Sequence, residues 1–113
     1  MTDILGSSIK ATVGVLMDLY YLEAETSDYP FCVYDRTITE HRTKDGVYKI
    51  QSECTFDIVS DTFAGAKEKT SELRQVIEND LGDNFIVKFL SETPDCVDDI
   101  WTIETKYNIY QIS

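Results

Sequence analysis

The sequence predicts an α+β fold, a two-layer sandwich in which two helices cover one face of a mainly antiparallel four-stranded sheet. Three observations lead there. Two segments repeat apolar residues at spacings of three and four, four segments are strand-like in composition or alternate at period two, and each strand pair is joined by a short connection. The predicted order is α-β-β-α-β-β within one α+β domain spanning residues 1–113.

The first helix is expected from Asp3 to about Leu22, with Leu5, Ile9, Val13, Leu16 and Tyr20 on one face. Gly14 weakens it by about 1 kcal/mol relative to alanine. Ser27-Asp28-Tyr29-Pro30 then supplies turn formers and a helix breaker.

Phe31 to Thr43 is rich in Phe, Val, Tyr, Thr and Ile and predicts a strand. Lys44-Asp45-Gly46 is a tight-turn signal, and Val47 to Ser60 returns as a second strand. On that return strand Tyr48, Ile50, Cys54, Phe56 and Ile58 share one face, and Lys49, Gln51, Glu53, Thr55 and Asp57 share the other. A thirteen-residue strand is more than about 40 Å long. A compact domain of this length has a radius of gyration of roughly 13 Å and is only about 34 Å across. The strands must therefore coil strongly, or the polar tip from Glu40 to Gly46 must project as an arm.

The second helix starts near Asp61 or Thr62, either of which can cap it. Phe63, Ala66, Thr70, Leu73, Ile77 and Leu81 form its buried stripe with Val76 beside it, and Gly82 is expected to end it as a left-handed cap. Phe85 to Leu90, nearly all apolar, suits a central strand. Glu92 to Asp99 reads as a turn, and Ile100 to Ile112 alternates with Trp101, Ile103, Tyr107 and Ile109 on one face.

The composition is that of a globular chain: 113 residues, 42% hydrophobic and 12% aromatic, too apolar for a disordered tail. Twenty-one acidic residues against ten basic ones give a formal charge of −11, with no cluster of four or more Lys or Arg. Nucleic-acid affinity rests on cations that neutralise phosphate, so general nucleic-acid binding is excluded as an expectation, and anionic membrane surfaces are disfavoured for the same reason. The opening Met1-Thr2-Asp3-Ile4-Leu5-Gly6 has no basic region followed by an apolar stretch, and no apolar run is long enough to span a bilayer. A soluble protein without a secretory leader is expected. Three cysteines, Cys32, Cys54 and Cys96, lack C-x-x-C spacing, and one histidine cannot complete a zinc site. Cys32 and Cys54 read as buried apolar residues of strands, Cys96 as a residue of an acidic loop. A reducing cytoplasm fits them.

Pro94-Asp95 followed by Glu104-Thr105-Lys106 has the pattern of metal-dependent nucleases, in which two carboxylates hold Mg²⁺ and a lysine helps activate water. The plainer reading puts Asp95 in a turn and Glu104 and Lys106 on the wet side of an alternating strand. Glu92, Asp95, Asp98 and Asp99 could hold Ca²⁺ but lack the ligand spacing and glycine of an EF-hand loop. His41 is expected at the arm's tip, away from Cys32 and Cys54, so no thiol nucleophile is built with it. No nucleophile-elbow, phosphate-loop or dinucleotide glycine pattern occurs. The residues offer no catalytic, metal or cofactor site, and the chain is expected not to be an enzyme.

Tyr29-Pro30-Phe31-Cys32-Val33-Tyr34 opens the first strand after the helix, and Glu53-Cys54-Thr55-Phe56-Asp57-Ile58-Val59-Ser60 leads into the second helix with its Ala66, Leu73, Ile77 and Leu81. This succession resembles the tail completion, or tail terminator, proteins of long-tailed bacteriophages and prophages, from about residue 3 to residue 90 and more loosely beyond. Cys32 and Cys54 depart from that pattern. The resemblance implies a non-catalytic structural protein that assembles with itself into a ring, usually of six subunits, capping the tail tube and joining it to head–tail connector proteins. It would act in the host bacterial cytoplasm during assembly and remain in the virion tail. A ring needs head-to-tail interfaces that a projecting hairpin can reach, so His41, Arg42, Lys44 and Asp45 are the expected subunit-contact residues. An acidic inner wall would let DNA pass without sticking. The alternatives are the Mg²⁺-dependent nuclease using Asp95, Glu104 and Lys106, and a small adaptor that binds a protein by adding a strand to a sheet edge.

Overall fold

The computed structural model describes residues 2–24 and 28–112. Its elements run α1 (Leu5–Val13), β1 (Asp18–Tyr21), β2 (Phe31–Thr43), β3 (Gly46–Ser60), α2 (Phe63–Asn79), β4 (Phe85–Val97) and β5 (Ile100–Ile112). The strands form one sheet in the order β1-β2-β3-β5-β4. The fold is α+β, as the sequence predicts, but the sheet has five strands and is mixed, because β1 pairs parallel with β2 while every other pair is antiparallel.

The fifth strand comes from the segment assigned to the first helix. Helix α1 stops at Val13, with Leu5, Ile9 and Val13 buried as the periodicity requires. Gly14 is the terminating residue and not a weak interior position: its N–H bonds to the Lys10 carbonyl, and a Cβ there would lie 2.4 Å from that oxygen. Leu16 and Tyr20 therefore leave the helical face. Asp18–Tyr21 is drawn into the sheet by pairing with Phe31–Tyr34, a tertiary contact that outweighs local periodicity. Of the Ser27–Pro30 turn, Ser27 lies outside the described residues, and the Tyr29–Pro30 peptide bond is cis.

The β2–β3 hairpin has the predicted limits. Thr43 pairs with Gly46, and the positive φ of the turn falls on Gly46 (φ 116), which only glycine adopts without cost. The apolar face of β3 is buried from Ile50 through Cys54, Phe56 and Ile58. Tyr48 departs from that face, because a bulge between His41 and Arg42 leaves it unpaired and 48% exposed.

Helix α2 is capped by Thr62, whose hydroxyl accepts a 3.0 Å bond from the Gly65 N–H. Ala66, Thr70, Leu73 and Ile77 are buried against the sheet, but Phe63 is half exposed and stands edge-on to Trp101 at 4.9 Å. The helix ends at Asp80, whose N–H bonds to the Val76 carbonyl, and Gly82 (φ 112) serves the following turn.

Phe85–Leu90 belongs to the edge strand β4, not to a central one, and β3 holds the middle position. Glu92–Val97 continues β4, so the expected turn shrinks to Asp98-Asp99, both at positive φ (52° and 66°) as a primed hairpin turn demands. Pro94 is tolerated there because β4 is an edge.

Both helices lie on the face carrying Cys54, Phe56, Ile58, Tyr107 and Ile109, and the core forms between them. The radius of gyration is 14.7 Å and the principal extents are 52 × 23 × 23 Å. The molecule is drawn out along one axis, and at the hairpin tip β3 runs past the end of β5, the projecting one of the two alternatives that the strand length leaves.

Candidate functional site

The arm begins where the helix layer ends. Arg36 on β2 is only 9% exposed, and its Nη2 donates to Asp3 Oδ1 and Oδ2 at 3.0 and 2.8 Å and to Ser52 Oγ at 3.0 Å. On the same face of the sheet, four residues farther toward the arm in the register, Gln111 Oε1 accepts from the Ile4 N–H at 2.9 Å and its Nε2 donates to the Thr2 carbonyl at 2.6 Å. These contacts tie the segment before α1 across the sheet. Toward the tip β3 outruns β5, whose pairing stops at Lys49–Ile112.

The four expected contact residues lie together near that tip. His41 Nε2 is 3.2 Å from Gln51 Oε1, and its ring centroid is 6.3 Å from that of the exposed Tyr48. Arg42 pairs with Glu40 two residues back on its own strand, an exposed pair that contributes little to stability. Lys44 and Asp45 are exposed in the turn, where the Asp45 N–H bonds to Thr43 Oγ1 at 3.2 Å.

The helix-free face of the sheet is electrically divided. Near the end away from the arm, Asp57, Thr93, Pro94, Asp95, Thr102 and Glu104 line an open depression of about 430 Å³. Burial, with Glu104 and then Asp35 adding repulsion, pushes the Asp57 carboxyl up, against the opposing pull of Lys106. Nearer the arm, Lys49 and Lys88 sit 5.2 and 5.5 Å from the Tyr110 ring centroid, beside Ile86.

Asp95 and Glu104, predicted from their motif, do come together in the depression, and Lys106 pairs with Glu104 at 3.5 Å. Asp57 joins them through the β3–β5 register, in which it stands opposite Glu104. The sequence read Asp57 only as a wet-face residue, because nothing local reports its cross-strand partner. Among the described residues no group of three or more His, Cys, Asp or Glu is placed to hold a metal ion. The proposed Ca²⁺ set disperses: Glu92 is taken by Lys67 and by Arg74 (3.5 Å), Asp95 lines the depression, and Asp98 and Asp99 form the turn.

Cys32 and Cys54 are buried and Cys96 is exposed. Burial raises both buried thiols, Cys54 to about 12, so neither supplies a thiolate near neutral pH. On the helix side, the Arg74 guanidinium lies 3.9 Å from the Phe89 ring centroid and 3.5 Å from both Glu78 and Glu92, clamping α2 to β4. No helix among the described residues is long and apolar enough to cross a membrane.

This geometry defines an α+β sandwich with a projecting hairpin and two open sheet edges. No family model and no curated protein sequence matches the chain. Among solved structures it is similar to a chain of the virion of a native gene transfer agent particle, with a TM-score of 0.68 and 12% sequence identity over 99% of this chain and 100% of that one. The two chains share a fold from end to end.

Proposed function

We propose that this chain is a non-catalytic structural subunit of a phage-derived particle, acting as a tail terminator: a ring that closes the tail tube and presents it to the head. The observation that carries the reading is the end-to-end fold likeness to a virion chain, with neither chain leaving a substantial part unmatched. The hairpin tip supports it, since it runs past the end of β5 and offers a surface to the tube or to a neighbouring protein. So does the charge of −11, which suits a wall along which DNA must slide. In this reading His41, Arg42, Lys44 and Asp45 are the arm residues that contact a neighbouring subunit or the tube. The site of action would be the host cytoplasm during assembly and then the particle tail.

The test is electron microscopy of particles from a producing strain that lacks this chain. Heads separated from tails, with tubes of unregulated length, are the expected result, restored by supplying the chain in trans. Normal joined particles in its absence would overturn the assignment.

A further inference from the structure

An open sheet edge is a template for another strand, and proteins normally blunt it with charge, proline or bulges. In β4 the two halves differ. Ser91 to Val97 carries Glu92, Pro94 and Asp95, which protect that stretch. Phe85 to Leu90 has Lys88 as its one charge, and Ile86, Phe89 and Leu90 are 47%, 40% and 52% exposed. A bulge between Phe89 and Ser91 separates the halves. At the opposite side of the sheet, β1 covers β2 only from Phe31 to Tyr34. Leu22 (φ 71) then turns the chain away, and among the described residues no strand pairs with the outer edge of β2 from Asp35 onward. Ile38 on that edge is 47% exposed.

The two open segments lie at the same height. Reading the register across the sheet, Arg36 leads through Cys54 and Tyr107 to Phe89, Ile38 through Ser52 and Ile109 to Val87, and Glu40 through Ile50 and Gln111 to Phe85. β2 and β4 also run in opposite directions. A rotation axis parallel to the strands preserves strand direction, so a second copy set beside the first brings its β2 antiparallel to β4 with no axial shift. We infer that Phe85–Phe89 of β4 pairs with Arg36–Glu40 of β2 in a neighbouring copy of this chain, making one continuous sheet between subunits. This rests on the ring reading above and names the surface that closes the ring.

The centre of that register is complementary. Val87 meets the exposed Ile38, Ile86 meets Thr39, and Lys88 meets Thr37 with Asp35 on the diagonal, an apolar pair and an opposite-charge pair of the kind that stabilise adjacent strands, while at the ends Phe85 falls opposite Glu40 and Phe89 opposite Arg36. The β4 bulge falls just where the neighbour's β1 would begin, since Tyr34 leads through Phe56 and Thr105 to Glu92. It lets the protected half of β4 bend clear of that strand. The interface is heterologous and repeats until it closes.

The test is a cysteine pair, Ile38→Cys with Val87→Cys, in a Cys96→Ser background under mild oxidation. Directly opposed residues bring their Cβ atoms to within about 5 Å, close enough for a disulfide after small adjustment. A covalent ladder ending at the ring size is expected, with each single variant giving at most a dimer. Independently, Lys88→Asp shifts the molar mass by light scattering toward monomer, and adding Asp35→Lys restores it. Absence of both the ladder and the charge rescue overturns the edge pairing. If the wild-type chain still forms a discrete oligomer then, the ring reading survives and only this interface is wrong. If it stays monomeric and does not bind tails, both fail.

Discussion

Removing the Arg36 guanidinium while keeping its apolar stem, as in Arg36→Met, isolates the contact that joins α1's approach to the base of the arm. The lost interactions are the charged pair with Asp3 and the bond to Ser52. Hydrogen bonds to charged groups contribute about 1.5–3 kcal/mol, and leaving the buried Ser52 hydroxyl without its donor adds about 1 kcal/mol. Two features reduce the sum. Asp3 is 30% exposed and regains water, and Arg36 Nε has no acceptor among the described residues, so its desolvation cost disappears with it. The net destabilisation is about 2 kcal/mol. For a chain of this length the unfolding entropy is about 0.24 kcal/mol/K, so the melting temperature should fall by about 8 °C. Thermal melts of the wild type, Arg36→Met, Asp3→Asn and the double variant give the coupling energy directly. We expect at least about 1 kcal/mol of coupling, largely retained at about 0.5 M salt because Arg36 is shielded from counterions. Coupling within about 0.3 kcal/mol of zero would refute the claim that this pair anchors the segment before α1.

Asp57 gives a pH test. Its carboxyl is raised above the ordinary value of 3.8, so the ionised form opposes folding above the folded-state pKa and that penalty vanishes below 3.8. Asp57→Asn should therefore raise the melting temperature near pH 7 and lose that advantage near pH 3. An equal shift at both would show that charge is not the cause. A thiol reagent should label one cysteine in the folded chain, Cys96, and three in denaturant; rapid native labelling of Cys54 would contradict its burial. Asp99→Val, which forces a β-branched residue to φ 66°, should cost about 1–2 kcal/mol in chemical denaturation, whereas Asp99→Gly should be neutral or better. Finally, Asp95→Ala with Glu104→Ala should leave assembly unchanged, and the wild type should not cleave plasmid DNA with Mg²⁺. Cleavage abolished by the pair would favour the nuclease.

Much of the fold is written in local pattern. Period-two alternation along β3 and β5, the Asp45-Gly46 signal and the apolar stripe of α2 each reflect a constraint that one element imposes on its own residues. Those elements appear where expected. The length of the hairpin was also legible, because strand length follows from residue count at a fixed rise per residue and globule size follows from chain length. What depended on distant partners was not. Leu16–Tyr20 satisfies a helical period, yet Gly14 ends α1 and β2 captures Asp18–Tyr21, a choice that no window of sequence contains. Phe85–Leu90 is apolar enough for a central strand, but strand order is decided by which hairpin docks beside β3, and that leaves this segment on an edge. The candidate surfaces divide in the same way. His41, Arg42, Lys44 and Asp45 could be placed at the tip from the turn alone. The meeting of Asp57 with Glu104, and the equal height of Ile38 and Val87, exist only through cross-strand register. Register arises when a whole sheet buries one face, so only the tertiary structure could decide it.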